Sequence, residues 1–276
     1  MLAFPLINYC PKVIRMLALV ATLSPTLESA QRLEVEIPRT TALPLIDGSI
    51  DEDEWQKAAA TQVNSEVDPG DNIEAEVTAQ ALIMEDGQTI YVAFRAHDPD
   101  PSQIRGFYED RDSGWDGDYM GIILDTFNDE RRAFEFLVNP FGVQMDAIYD
   151  DVNQREDESW NAIWDSVGQI TESGYTVELA IPLKQLRFSE TESVQVWGID
   201  FYRHYPRDRS TSIHSQRIDW NISCYLCQIS KLEGFQNLEQ SRNLEVIPTI
   251  TSSSSESRTP EGGDWERENN SQGSLD

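Results

Sequence analysis

Four aspartates, Asp110, Asp112, Asp116 and Asp118, surround Trp115 in the stretch EDRDSGWDGDY. An indole in a polar loop offers a flat apolar face, and the carboxylates beside it offer hydrogen-bond acceptors or ligands for a hard cation. A second indole of this kind, Trp160, opens WNAIW after the acidic loop DVNQREDES. Arg132, Glu135 and Asn139, in the intervening run RRAFEFLVN, add planar polar groups. Flat rings beside planar hydrogen-bonding groups can hold a saccharide, because a sugar ring stacks its C–H face on the indole and offers adjacent hydroxyls at its edge. Each residue also has a plain structural reading: a tryptophan capping a sandwich end, a solvated charge, a turn-forming Asn-Pro. Trp164, four residues beyond Trp160, is expected in the core.

Asp112, Asp116 and Asp118 are the candidates for holding calcium. The loop fails the EF-hand pattern, since position six counted from Asp110 is Trp115 and position twelve counted from Asp112 is Ile123. An ion there would be structural and of a non-EF kind. The sequence contains no HExxH, phosphate loop, GxGxxG or Ser/His/Asp order, and His97, His204 and His214 sit in dissimilar settings. Glycoside hydrolysis needs two facing carboxyl groups, one of them with a raised pKa, and no such pair stands out among the many carboxylates. Three readings stay open: a non-catalytic saccharide-binding module, an O-glycosyl hydrolase, and a docking module whose tryptophans meet another protein.

These side chains must be held by strands. Residues 112–149 contain three runs with period-two alternation, separated by the turn-rich breaks FNDE and NPFG, which predicts a β-meander. Met120, Ile122 and Leu124 share one face of the first run, and Phe134, Phe136 and Val138 one face of the second. The opposite face is mixed, with Glu135, Gln144 and Asp146 beside Ile123, Leu137 and Ile148, which suits a face that lines a groove. Elsewhere EAEVTAQALIMEDGQTIYVAFRAHD predicts a hairpin about Asp86-Gly87, and GYTVELAIP and VQVWGIDFYRHY predict further strands. Glu54-Trp55 begins a short helical turn that plugs Trp55 against the domain. The fold class expected is all-β, a sandwich of roughly ten strands.

The 276 residues carry 49 acidic and 21 basic side chains, a formal charge of −28. Repulsion from phosphates sets nucleic acid aside as a partner, while neutral or cationic ligands and hard cations are favoured. Lys12 and Arg15 precede the apolar run MLALVATL, and small residues end it at Ser29-Ala30, so residues 1–30 read as an export signal. The run is too short to span a bilayer. Export places the protein in the periplasm or at the outer membrane. Cys224 and Cys227, in CYLC, are expected to form a local disulfide or to remain two idle thiols. From Thr249 onward apolar residues almost vanish, and a flexible tail is expected.

The opening IDGSIDEDEWQKA, the hairpin LDTFNDERRAFEFLVNPFGVQMDA, the segment SWNAIWDSVGQITESGYTVELAIPLKQLRF and the late RNLEVIPTITSS together resemble one bacterial family. Its members carry a module like the family 9 carbohydrate-binding modules, followed by a region like an outer-membrane barrel. The resemblance implies a jelly-roll sandwich over 31–240, oligo- or polysaccharide as partner, and a part in carbohydrate catabolism. It also implies that two tryptophans sandwich a sugar, here Trp115 and Trp160, and that some relatives hold calcium. RNLEVIPTIT resembles the first strand of the barrel region, so residues 241–276 are expected to be that strand and a disordered tail, with the rest of the barrel missing.

Overall fold

The structure is a computed structural model and describes residues 34–50, 52–189, 195–235, 238, 248–258 and 265–275. The expected export signal lies outside the described residues. The described strands are β1 (Glu34–Glu36), β2 (Ala59–Asp68), β3 (Ile73–Glu85), β4 (Thr89–His97), β5 (Tyr119–Asp125), β6 (Arg132–Val138), β7 (Gln144–Asp150) and β8 (Arg155–Asp157). They continue as β9 (Asp165–Thr171), β10 (Gly174–Pro182), β11 (Gln195–Pro206), β12 (Ser210–His214), β13 (Ser230–Phe235), β14 (Pro248–Arg258) and β15 (Trp265–Leu275). One four-residue helix, α1 (Glu52–Trp55), accompanies them. The all-β class is as expected, with fifteen described strands in place of about ten. The excess comes from short pieces such as β8, too brief to leave a period in the sequence, and from the C-terminal pair.

Thirteen strands form one hydrogen-bonded path, β8-β7-β6-β5-β11-β12-β2-β3-β4-β10-β9, with β13 on β11 and β1 on β13. The path curls so that its two halves enclose a common core. Register shifts between Ser212 and Ile213 and between Val63 and Ser65 fall where β12 meets β2 and β2 meets β3. Such bulges bend a sheet, which is what turning from one layer to the other requires.

Alternation decides which side chains go inward. Val77, Ala79, Ala81 and Ile83 of β3, Ile90, Val92 and Phe94 of β4, and Val177, Leu179 and Ile181 of β10 meet Met120, Ile122 and Leu124 of β5 and Phe136 and Val138 of β6 in one cluster. Trp197, Ile199 and Phe201 of β11 join them. Burying each large apolar side chain contributes roughly 2 kcal/mol, so this core is the main source of stability. On the far side of β3, β4 and β10, Trp55 packs with Leu82, Met84, Tyr91 and Ala93. Its Nε1 donates to Glu178 Oε1 at 2.9 Å, and the backbone N–H groups of Asp47 and Gly48 donate to Glu178 Oε2 at 2.9 and 2.7 Å. The IDG turn and the Trp55 plug are thus tied to one buried carboxylate.

The polar segment expected as a flexible tail is instead a two-stranded antiparallel ribbon, β14 with β15, running from the Pro248–Leu275 pair to Arg258–Trp265. Its described side chains are exposed. The lack of apolar residues precludes a core, as foreseen, but backbone pairing does not need one.

Candidate functional site

The half-sheet β8-β7-β6-β5-β11-β12 has a second face, turned away from the core. Glu135 stands on it between its direct cross-strand neighbours Ile123 and Ala147. In the next row Leu137 lies between Gly121 and Met145, and Gly121 in turn pairs with Tyr202. Tyr202 is opposite His214, and Tyr149 is opposite Glu156. The sequence reading put Gln144, Asp146 and Ile148 beside Glu135, and the register corrects this. Those three pair with Val138, Phe136 and Phe134, on the core side. There Asp146 Oδ2 accepts Trp164 Nε1 at 2.8 Å and is ion-paired with Arg111. Met145, Ala147 and Tyr149 take the outer places, because a one-residue difference in register exchanges the two faces of a strand.

Above this face lies a concavity of ≈ 230 Å³ lined by the rings of Trp115, Tyr119, Tyr149, Tyr202, Trp220 and Tyr225. Glu135, Glu156, Ser212 and His214 supply its polar groups. Trp115 is held by its Nε1, which donates to Asp112 O at 3.0 Å, and sits edge-on to Tyr119 with ring centroids 6.1 Å apart. Trp220, 55% exposed, stacks on Tyr225 at 6.3 Å and 23°. The loop bearing both is closed by a Cys224–Cys227 disulfide, one of the two expected outcomes for CYLC. Asp151 Oδ1 accepts the Tyr225 N–H at 2.9 Å, and Gln228 receives the Asp219 N–H at 2.7 Å and donates to Cys224 O at 2.9 Å. These bonds fix a loop that has no regular structure of its own.

Glu135 is 6% exposed and its Oε2 has no hydrogen-bond partner. Burial pushes its carboxyl up to about 8, and the charge of Glu156 adds to the rise. Glu156 stands at the exposed rim; desolvation against the wall also moves its carboxyl upward, with Glu158 contributing.

Among the residues singled out from sequence, Trp115 and Glu135 meet in this concavity. Trp160 is elsewhere: it packs on Phe134 and Phe136, with ring centroids 4.9 and 5.7 Å away, against the core. Trp164 is buried, as expected. Arg132 lines a larger hollow of ≈ 500 Å³ at the end of the β5–β6 hairpin and pairs with Asp150 at 3.4 Å. That hollow has Phe127 and Phe134 but no tryptophan or tyrosine on its wall, so it offers a poorer stacking surface. Asn139 is buried and shapes the NPFG turn, its Oδ1 accepting the N–H groups of Phe141 and Val143 at 2.9 and 3.0 Å.

The three calcium candidates are not brought together. Asp112 Oδ1 accepts the Asp146 N–H at 3.0 Å, Asp116 is exposed, and Asp118 is buried with Arg207 Nη1 2.7 Å from its Oδ2. Asp118 Oδ2 also accepts the Arg105 N–H at 2.8 Å, which makes it an anchor for the loop that carries Trp115. Among the described residues, metal-ligand atoms converge only at Glu130, Cys224 and Cys227, where both sulfurs are committed to the disulfide.

Sequence reasoning missed Trp220, Tyr225, Tyr202, Tyr149, Glu156, Ser212 and His214. Trp220 had a signal, since it lies in a polar loop just as Trp115 does. The strand residues had none, because their convergence depends on register between distant strands.

The pattern of the family described as "Carbohydrate family 9 binding domain-like" matches residues 46–223. By fold, two solved structures of a family 9 carbohydrate-binding module from Caldicellulosiruptor kristjanssonii are similar. The one in complex with cellotriose has a TM-score of 0.50 and 16% identity, covering 73% of this chain and 93% of that one. The one in complex with glucose has a TM-score of 0.51 and 16% identity, covering 77% and 99%. A structure of a candidate carbohydrate-binding protein from Bacteroides uniformis gives 0.58 at 12% identity, covering 74% and 99%. No curated protein matches in sequence.

Proposed function

Because the chain belongs to the carbohydrate family 9 binding domain-like family, we propose that it is a non-catalytic module that holds an oligo- or polysaccharide in the concavity between Trp115 and Trp220. The observation that carries this reading is the gathering of two indoles and four phenols around a few polar groups on one wet face. Trp220 takes the role that the sequence assigned to Trp160. Rings supply stacking faces, and Glu135, Glu156, Ser212 and His214 supply partners for hydroxyls. The cellotriose and glucose complexes of the structural neighbours support the ligand class.

A hydrolase reading gains one point from the two carboxyl groups facing this space. That reading rests on those two groups alone, whereas the family and the structural neighbours are described as carbohydrate-binding. Structural calcium at the Asp112–Asp118 loop stays a separate proposal, and a chelator that leaves the melting midpoint unchanged would remove it. Export, a catabolic role and continuation into an outer-membrane barrel belong to the same proposal. The β14–β15 ribbon, built without apolar core residues, is the segment that would join such a barrel.

The test is affinity electrophoresis or calorimetry with soluble glucans and their oligosaccharides, on the parent chain and on Trp115→Ala and Trp220→Ala. Binding that both variants lose supports the site; binding that both retain refutes it. Release of reducing sugar abolished by Glu135→Gln would replace the binding reading with the enzymatic one.

A further inference from the structure

The polar side of the concavity is unusual in sign. Glu135 and Glu156 face it, and among the described residues no lysine or arginine lines it. Its one basic side chain, His214, is already tied by Nδ1 to Asp200 Oδ2 at 2.6 Å. The other groups facing Glu135 are the phenols of Tyr119, Tyr149, Tyr202 and Tyr225, none of which brings positive charge. Glu135 itself is buried, with Oε2 meeting no donor from the protein. A buried carboxyl without a cation nearby is expensive to ionise, and a ligand that carried the cation would repay that cost. Rings with negative π faces set round two carboxyl groups form the kind of enclosure that attracts an ammonium group. The chain's formal charge of −28 also draws cations toward it.

We propose that the preferred ligand of this site is an amino sugar with a free, protonated amine, seated with its ammonium group against Glu135 and its ring stacked on the tryptophans. The inference rests on the saccharide-binding reading and sharpens it to a ligand class. Binding then proceeds with a proton balance: the neutral Glu135 carboxyl gives its proton to solvent, the ammonium keeps its own, and a carboxylate–ammonium pair forms. Glu156 at the rim adds a second, weaker attraction, because solvent screens it. A hydroxyl at the same carbon would leave Glu135 neutral and release no proton.

Three β-1,4-linked trisaccharides differing only at C2 separate the outcomes: the glucosamine trimer (ammonium), the N-acetylglucosamine trimer (acetamide) and cellotriose (hydroxyl). Titration calorimetry of the full chain at about pH 5.5, where the free sugar amine is already protonated, in two buffers of different ionisation enthalpy, is expected to give at least tenfold tighter binding of the glucosamine trimer. It should show close to one proton released. Glu135→Gln, which keeps the shape, should lose both the preference and the proton release. Glu156→Gln should reduce the preference only a few-fold, and it acts at an exposed position where folding is not at stake. Equal or tighter binding of cellotriose or the N-acetylated trimer by the parent overturns the amine assignment and leaves saccharide binding standing. A preference that survives Glu135→Gln also overturns it. Failure of all three sugars to bind overturns the saccharide reading itself.

Discussion

His214 Nδ1 lies 2.6 Å from Asp200 Oδ2, beneath the aromatic concavity, and the same oxygen receives the Tyr225 hydroxyl at 2.6 Å. Asp200 is fully buried, and its Oδ1 accepts the Ser215 hydroxyl at 2.9 Å. This contact fixes the orientation of the imidazole ring. One carboxylate therefore orients two of the lining side chains, from β12 and from the disulfide-closed loop.

Asp200→Leu should remove that common anchor. We expect a loss of about 3 kcal/mol of stability in urea unfolding, as when one partner of a buried charged network is deleted, and weaker sugar binding in whatever fraction stays folded. Unchanged stability would mean that His214 and Tyr225 hold their places without it.

The two tryptophans that sequence and structure rank differently should separate cleanly. Trp220→Ala, at an exposed position, should leave stability within about 0.5 kcal/mol and weaken oligosaccharide binding at least tenfold. Trp160→Ala, which strips packing from Phe134 and Phe136, should cost about 2 kcal/mol of stability and leave affinity nearly as it was. The reverse pattern would return the platform to Trp160.

Glu135 should leave a mark on stability against pH. Its carboxyl is raised by burial to about 8 from an ordinary 4.5. Between those values the folded chain keeps a proton that the unfolded chain gives up. The stabilisation is complete below 4.5 and is lost as pH rises through 8, with a slope on the order of 1 kcal/mol per pH unit. Unfolding midpoints of the parent should fall relative to those of Glu135→Gln between pH 5 and 8. Parallel curves would show that Glu135 is not held neutral.

Opening the Cys224–Cys227 ring by replacing both residues with serine should cost about 2 kcal/mol by the loop-closure argument. It should also weaken binding, because the loop positions Trp220 and Tyr225. An affinity identical to the parent's would show that the Asp151 and Gln228 hydrogen bonds suffice.

Much of the frame could be read from the chain. Met120, Ile122 and Leu124, and Phe136 and Val138, point inward as their alternation requires, and Trp55 plugs the sheet as its short helical turn suggested. The mixed face that suggested a groove does line one, through Ile123, Glu135 and Leu137. Local information failed on β7, whose register puts Tyr149 rather than Ile148 beside that groove.

Period-two alternation is a local property, written every second residue, so the amino-acid order by itself determined the strands, their inward faces and hence an all-β sandwich. It also determined the acidic balance, a formal charge of −28, from which no phosphate-rich partner is expected. Which loop tryptophan would join Trp115 was decided only by tertiary structure. Trp115 and Trp220 reach one concavity because β5 pairs with β11 and β11 with β12, contacts between segments far apart in the chain that no short-range pattern encodes. The absence of a lysine or arginine beside Glu135 among the described residues was settled in the same way, since a buried carboxyl's partners are whatever the neighbouring strands bring to it.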